Sequence, residues 1–177
     1  LADEAREGDY VVGSGSLPPM HGSNAQSTFW ADAARISKRN GAYFALDSIS
    51  GLEAALAEGI FLIRHNEHEY QSLAGGALKW PDEISAFAQK LCASGAAERV
   101  VITHGGDGSV MATKDVVTIA PVLPVRAHSA VGAGDSFVAG LIVALMRGWK
   151  DADALRYASA CAAATRLSSG TSLFDKE

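Results

Sequence analysis

Gly132-Ala133-Gly134-Asp135 is the stretch of this 177-residue chain whose residue types and spacing point most directly to chemistry. It stands just before an apolar run, residues 137–146, that reads as a buried helix. The first N–H groups of a helix have no intrahelical acceptor, so this stretch offers donors to an anion. Glycines at 132 and 134 can take dihedral angles closed to other residues and let a phosphate approach the main chain. Asp135 places a negative charge beside that cradle. The charge would repel a resting phosphate, but it suits a group that takes a proton from a hydroxyl attacking one. The plain alternative is a carboxylate capping a helix after a glycine turn, and four residues alone do not separate the two.

Other stretches are weaker by themselves. Asn66 and Glu69 have the spacing of a capping box, with Asn as N-cap and Glu three residues on. His65, His68 and Glu69 suggest a transition-metal site, but no third distant ligand is evident. Ser14-Gly15-Ser16-Leu17-Pro18-Pro19 reads as a loop, because two prolines break a helix or strand. Cys92 and Cys161 lie in helix-like segments and form no C-x-x-C pair, so both read as reduced, packed thiols.

The elements that must position these residues follow from short apolar runs alternating with helical patterns. Strand-like runs fall at 9–12, 43–46, 60–63 and 99–102, with helical segments at 24–40, 52–58 and 81–94. Gly41, Gly59, Pro81 and Gly95 supply the usual punctuation. Alternation of this kind implies an α/β fold, a doubly wound, mostly parallel sheet with helices on both faces. Later, residues 110–113 and 116–119 flank Lys114-Asp115 like a hairpin, and two helices are expected over 135–147 and 152–167. The second is rich in small residues, which let a backbone or a flat ligand approach. Ligands of open parallel sheets sit beyond the carboxyl ends of the strands. Residues 13–19, Asp47, 64–69 and 103–108 each follow a strand directly.

Composition narrows the partners. A net charge of −5 and a pI near 5.5 disfavour a nucleic-acid or anionic-membrane surface, which needs clustered positive charge. No apolar run reaches the roughly 18 residues needed to cross a bilayer. The expectation is a cytoplasmic protein acting on small molecules. Because the chain opens with Leu1 in an acidic, helix-like stretch, a longer native N-terminus is expected.

Residues 130–140, Ala-Val-Gly-Ala-Gly-Asp-Ser-Phe-Val-Ala-Gly, resemble the C-terminal signature of the ribokinase-like (phosphofructokinase B type) carbohydrate kinases. The resemblance implies Asp135 as catalytic base, with Gly132, Ala133 and Gly134 supplying N–H groups to the transferring phosphate. Four further stretches are similar to that family in the same order. Gly15 and Ser16, before Pro18-Pro19, resemble the segment bordering the sugar phosphate in the branch acting on phosphorylated hexoses. Asn66 and Glu69 match an N-x-x-E that orders Mg²⁺ through water. Thr103, Gly105 and Gly108 correspond to a turn that contacts ATP, and Ser168 and Gly170 to a turn beside the adenine. Arg64-His65 replaces the Lys-Pro of many members, which would make the phosphate contact a guanidinium. Met20 replaces a glycine.

The implied cofactors are ATP and Mg²⁺, with a monovalent cation as a further candidate. The implied acceptor is a phosphorylated ketohexose, with a free sugar or nucleoside as the alternative. Family members carry further strands, a glycine-rich sugar-binding segment and a small β lid upstream of what is Leu1 here. The chain is therefore expected to be the C-terminal part of a single kinase domain, with the N-terminal strands and lid missing. Half of the sugar site, and a homodimer contact through that lid, would lie upstream. A nicotinamide oxidoreductase would need G-x-G-x-x-G after an early strand, whereas Gly13-Ser14-Gly15 leads into Leu17-Pro18-Pro19. A non-catalytic relative would have no need to keep Asp135. P-loop and protein-kinase motifs are absent from the sequence.

Overall fold

The computed structural model describes residues 4–17, 25–126 and 128–167. Along the chain run β1 (Tyr10–Ser14), α1 (Ala25–Arg39), β2 (Tyr43–Asp47), α2 (Leu52–Ala57), β3 (Ile60–Asn66), α3 (Glu67–Ala74), α4 (Asp82–Ala93) and β4 (Ala97–His104). They are followed by β5 (Gly108–Ala112), β6 (Val117–Ala120), α5 (Ala133–Met146) and α6 (Asp151–Leu167). The six strands form one sheet in sequential order. The chain divides into two compact units, Leu1–Thr103 with Val110–Val117, and His104–Ser109 with Thr118–Glu177.

In the first unit β1 to β4 are parallel, and one row of partners reads Val12, Ala45, Leu62, Arg99. Consecutive parallel strands joined by right-handed crossovers place their helices on the same face. Accordingly Trp30, Leu56, Tyr70 and Ile84, from the four helices, share one core with Ile63 and Ile102 of the strands. Ile63, Ile84 and Ile102 are almost wholly buried, and each such side chain contributes about 1.5–3 kcal/mol. Gly13 lets α1 close onto β1, since a Cβ there would stand 2.7 Å from the Trp30 ring.

The expected hairpin is present between β5 and β6, closed by Thr113 N–H donating to the Val116 carbonyl at 2.8 Å. The helix α3, eight residues beginning at Glu67, was not among the segments read from apolar periodicity; only the capping-box spacing of Asn66 and Glu69 signalled it.

In the second unit α5 buries Phe137, Val138, Leu141, Ile142, Ala144 and Leu145, as its nearly all-apolar sequence requires. Gly140 makes close packing on α6 possible. A Cβ there would lie 2.7 Å from Cys161 Sγ and 3.4 Å from Ala158 Cα. The small residues of α6 at this level therefore accommodate a helix backbone.

Candidate functional site

The strand ends of the first unit carry a chain of bonds that begins at the expected sugar-side segment. Gly15 and Ser16 are exposed just past β1, and Gly15 N–H donates to the Asp47 carbonyl at 3.1 Å. Asp47 ends β2, and its carboxylate accepts from Arg64 Nη1 at 3.2 Å. Arg64, on β3, is only 9% exposed. Its Nη2 donates to Thr103 Oγ1 on β4 at 2.8 Å, and Thr103 Oγ1 lies 3.5 Å from the His65 carbonyl. Both terminal nitrogens of the guanidinium are thus bonded within the unit. The Thr103 hydroxyl has both its accepting and its donating role filled there as well.

Burial pushes the Asp47 carboxyl above the usual carboxylate range, and the facing Arg64 charge pulls it back only in part. Two charges taken from water together seldom add stability over apolar residues of the same shape. His65 is buried beside them, with Nε2 3.4 Å from the Ser48 carbonyl, and burial lowers its pKa.

Asn66 and Glu69 form a complete capping box at the start of α3. Asn66 Oδ1 accepts from the N–H groups of His68 and Glu69 at 3.0 and 3.1 Å, and Glu69 Oε2 accepts from Asn66 N–H at 2.8 Å. The two readings of this pair are therefore compatible: the residues cap a helix and present amide and carboxylate groups at a strand end. Such oxygen donors suit a hard cation such as Mg²⁺. With Oδ1 and Oε2 already accepting, the pair fits contact through metal-bound water better than direct ligation.

In the second unit, the turn after β4 is closed by Asp107 N–H donating to the His104 carbonyl at 2.9 Å, and by His104 Nδ1 and Asp107 Oδ2 at 2.9 Å. Gly105 and Gly106 are exposed, with open space where a Cβ would point. Gly108 has φ +126°, and a Cβ there would sit 2.2 Å from the Ala120 carbonyl oxygen, so no side chain fits.

Gly132 is the N-cap of α5, with φ 78°, in the left-handed region that favours glycine. Ala133, Gly134 and Asp135 form the first turn, with Gly134 in helical backbone and not in the special conformation expected of it. The leading N–H groups lack an acceptor within the helix, and that of Ala133 reaches the Ala130 carbonyl at 3.4 Å. Asp135 is exposed there. The end of α6 supports this turn. The Thr165 hydroxyl is 2.6 Å from Ser136 Oγ and 3.1 Å from the Cys161 carbonyl. The Arg166 carbonyl accepts from His128 and Ser129 N–H at 2.8 and 3.4 Å, and Ser129 Oγ accepts from Val131 N–H at 3.1 Å.

The first unit thus brings together Gly15, Arg64, Asn66, Glu69 and Thr103; the second brings together Gly132, Ala133, Gly134 and Asp135, and holds Gly105 and Gly108 on its own turn. Ser168 and Gly170, and the Pro18-Pro19-Met20 stretch, lie outside the described residues. Sequence reasoning placed Asp47 at a strand end without giving it a partner, and gave Ser129 and Thr165 no role. The bond of Asp47 to Arg64 depends on strand register, which the sequence does not display. Thr165 carries no signal, being one polar residue in an alanine-rich helix.

Comparisons with known proteins bear on the family. The pfkB family carbohydrate kinases match over residues 1–177. The chain is 32% identical to an ATP-dependent 6-phosphofructokinase isozyme 2 of Mycobacterium tuberculosis, over 100% of the chain and 51% of that protein. It is 33% identical to a 1-phosphofructokinase of Bacillus subtilis, over 92% of the chain and 52% of that protein. The crystal structure of phosphofructokinase-2 from Escherichia coli in complex with substrates and products superposes with a TM-score of 0.88 at 30% identity, covering 98% of this chain and 55% of that one. The chain therefore spans about half the length of the relatives it matches. The signature at Gly132 to Asp135, the strand-end constellation and the family match over every residue lead to one conclusion: this chain belongs to the pfkB family of carbohydrate kinases and has their ribokinase-like fold.

Proposed function

We propose that this chain is the C-terminal part of a single kinase domain that transfers the γ-phosphate of ATP to a hydroxyl of a phosphorylated ketohexose. The observation that carries this reading is the start of α5, where a left-handed Gly132 opens the first helical turn and the exposed Asp135 stands within it. Asp135 takes the proton of the attacking hydroxyl, and the N–H groups of residues 132–135 stabilise the charge that builds on the transferring phosphate. The exposed Gly105-Gly106 turn leaves room for the nucleotide to approach the main chain. Asn66 and Glu69 would hold Mg²⁺ through its water shell. The ion, when bound, neutralises phosphate charge. A monovalent cation would add to the same neutralisation.

The acceptor follows from Gly15 and Ser16, exposed at the end of β1 before the double proline, and from the two relatives named as phosphofructokinases. A homodimer and a cytoplasmic setting accord with this reading. Among the described residues no helix is long and apolar enough to cross a membrane. The test is a panel of fructose 6-phosphate, fructose 1-phosphate, tagatose 6-phosphate, fructose, ribose and adenosine, assayed with Mg-ATP and the full-length protein. A ketohexose phosphate should give the highest kcat/KM. A higher value for a free sugar or for adenosine would overturn the substrate class while leaving the role of Asp135 standing.

A further inference from the structure

We infer that Arg64 is a positioning residue that ties the sugar-side end of the first unit to its magnesium-side end, so that Gly15-Ser16 and Asn66-Glu69 are set in place together. The inference rests on the kinase reading and gives Arg64 a task different from a direct phosphate contact. Four consecutive strand ends meet in one bonded path. Gly15 N–H holds the Asp47 carbonyl, the Asp47 carboxylate holds Arg64 Nη1, Arg64 Nη2 holds Thr103 Oγ1, and Thr103 lies against the carbonyl of His65, next to Asn66. The register agrees, since Ser14 pairs with Asp47 and Asn66 with Thr103.

A guanidinium suits this span because its planar fork directs two N–H groups to two acceptors at fixed angles, whereas an ammonium is a point charge on a flexible stem. Arg64 Nε is buried with no hydrogen-bond partner. The side chain is thus placed by its two terminal bonds and not by full satisfaction of its donors, an arrangement that lowers stability. Such a cost is understandable where geometry is the purpose. Groups that orient a site's direct ligands commonly change affinity or activity by about 10–100-fold when lost.

The experiment is steady-state kinetics of the full-length protein and of Arg64→Lys, Asp47→Asn and the double variant, with thermal melting as the check on folding. Each single variant should raise KM for the sugar phosphate and for Mg-ATP together, about tenfold, the low end of that range. The double variant should be no worse than the worse single one, because both break one path. A rise confined to Mg-ATP in Arg64→Lys would make Arg64 a direct phosphate ligand. A lower melting temperature with both KM values unchanged would make it merely structural, and multiplicative effects would make the two residues independent. Each of these outcomes overturns the tie.

Should Arg64→Lys fail to fold, Thr103→Val removes the acceptor at constant shape and should raise both KM values, with Thr103→Ser recovering most of the loss. A Thr103→Val protein with both constants unaltered would equally overturn the tie. Absence of transfer by the wild-type protein to every sugar in the panel would overturn the kinase reading and this inference with it. Wild-type activity with the wrong pattern in the variants would overturn the inference alone.

Discussion

The two stretches proposed to carry chemistry are held by opposite means. At the strand ends of the first unit, a buried ion pair and a hydroxyl fix the geometry through side chains, and the Asp47 and Arg64 charges are 9% and 10% exposed. At the start of α5, the backbone does the work: a left-handed glycine sets the turn, and the carboxylate of Asp135 stays exposed. The difference teaches which substitutions each stretch can absorb. A side-chain tie is sensitive to the shape and charge of a few residues far apart in sequence. A backbone cradle is sensitive to whether a glycine can be replaced and to how closely the supporting helix packs.

The largest expected effect separates chemistry from positioning. Asp135→Asn in the full-length protein should lower kcat by roughly 10²–10⁴, the range for losing a general base, with the KM for Mg-ATP little changed. Turnover at the wild-type rate would remove Asp135 from the mechanism and leave only the strand-end stretch as a candidate site.

Next come two glycines, one per unit, each with a neighbour 2.7 Å from where a Cβ would stand. Gly13→Ala and Gly140→Ala should each destabilise by about 1–3 kcal/mol, read from urea midpoints. Gly13→Ala should be the worse, because it meets the rigid Trp30 indole, whereas Gly140→Ala meets the Sγ of Cys161. Adding Cys161→Ala to Gly140→Ala should restore part of the loss. The opposite ranking would mean that α1 shifts from β1 more easily than α5 shifts from α6.

Gly132→Ala forces a Cβ into left-handed backbone, at about 1–2 kcal/mol. It should reduce kcat more than thermal stability, because the turn it distorts carries the proposed N–H cradle. An unchanged kcat would show that the cradle tolerates a different backbone.

The smallest effect concerns Cys92, on α4. Burial pushes its thiol from about 9.0 up to about 11, and its Sγ donates to the Ala112 carbonyl at 3.2 Å. A pKa higher in the folded than in the unfolded state means that the neutral thiol favours folding. That contribution is complete below pH about 9 and is lost as the pH rises to about 11. Between those values the urea midpoint of the wild-type protein should fall more than that of Cys92→Ala. Parallel curves would contradict the shift.

Much of this arrangement was legible in the sequence. The β5–β6 hairpin, the buried α5 and the glycine turn before it follow from residue types within a few positions of one another. The strands were recognised but cut short, β3 at Ile63 and β4 at Ile102, because Arg64, His65 and Thr103 look like loop residues until their partners are known. The helix α3 was signalled by its capping box alone. Asn66 and Glu69 were assigned a capping pattern and a metal-ordering pattern, and only the fold shows one pair of side chains meeting the first demand while remaining suited to the second. The tie from Asp47 through Arg64 to Thr103 joins residues 17 and 39 positions apart and depends on strand register, which no local pattern encodes.

In the first unit each strand from β2 to β4 is hydrogen-bonded to the strand just before it in the chain. Parallel pairing is usually slow, because distant segments must find one another across a costly closed loop. Here every closure spans only a single intervening helix or, before β4, two short ones. As a ribosome delivers the chain, each new strand meets a partner that has already emerged, and the sheet can grow one edge at a time in the direction of synthesis.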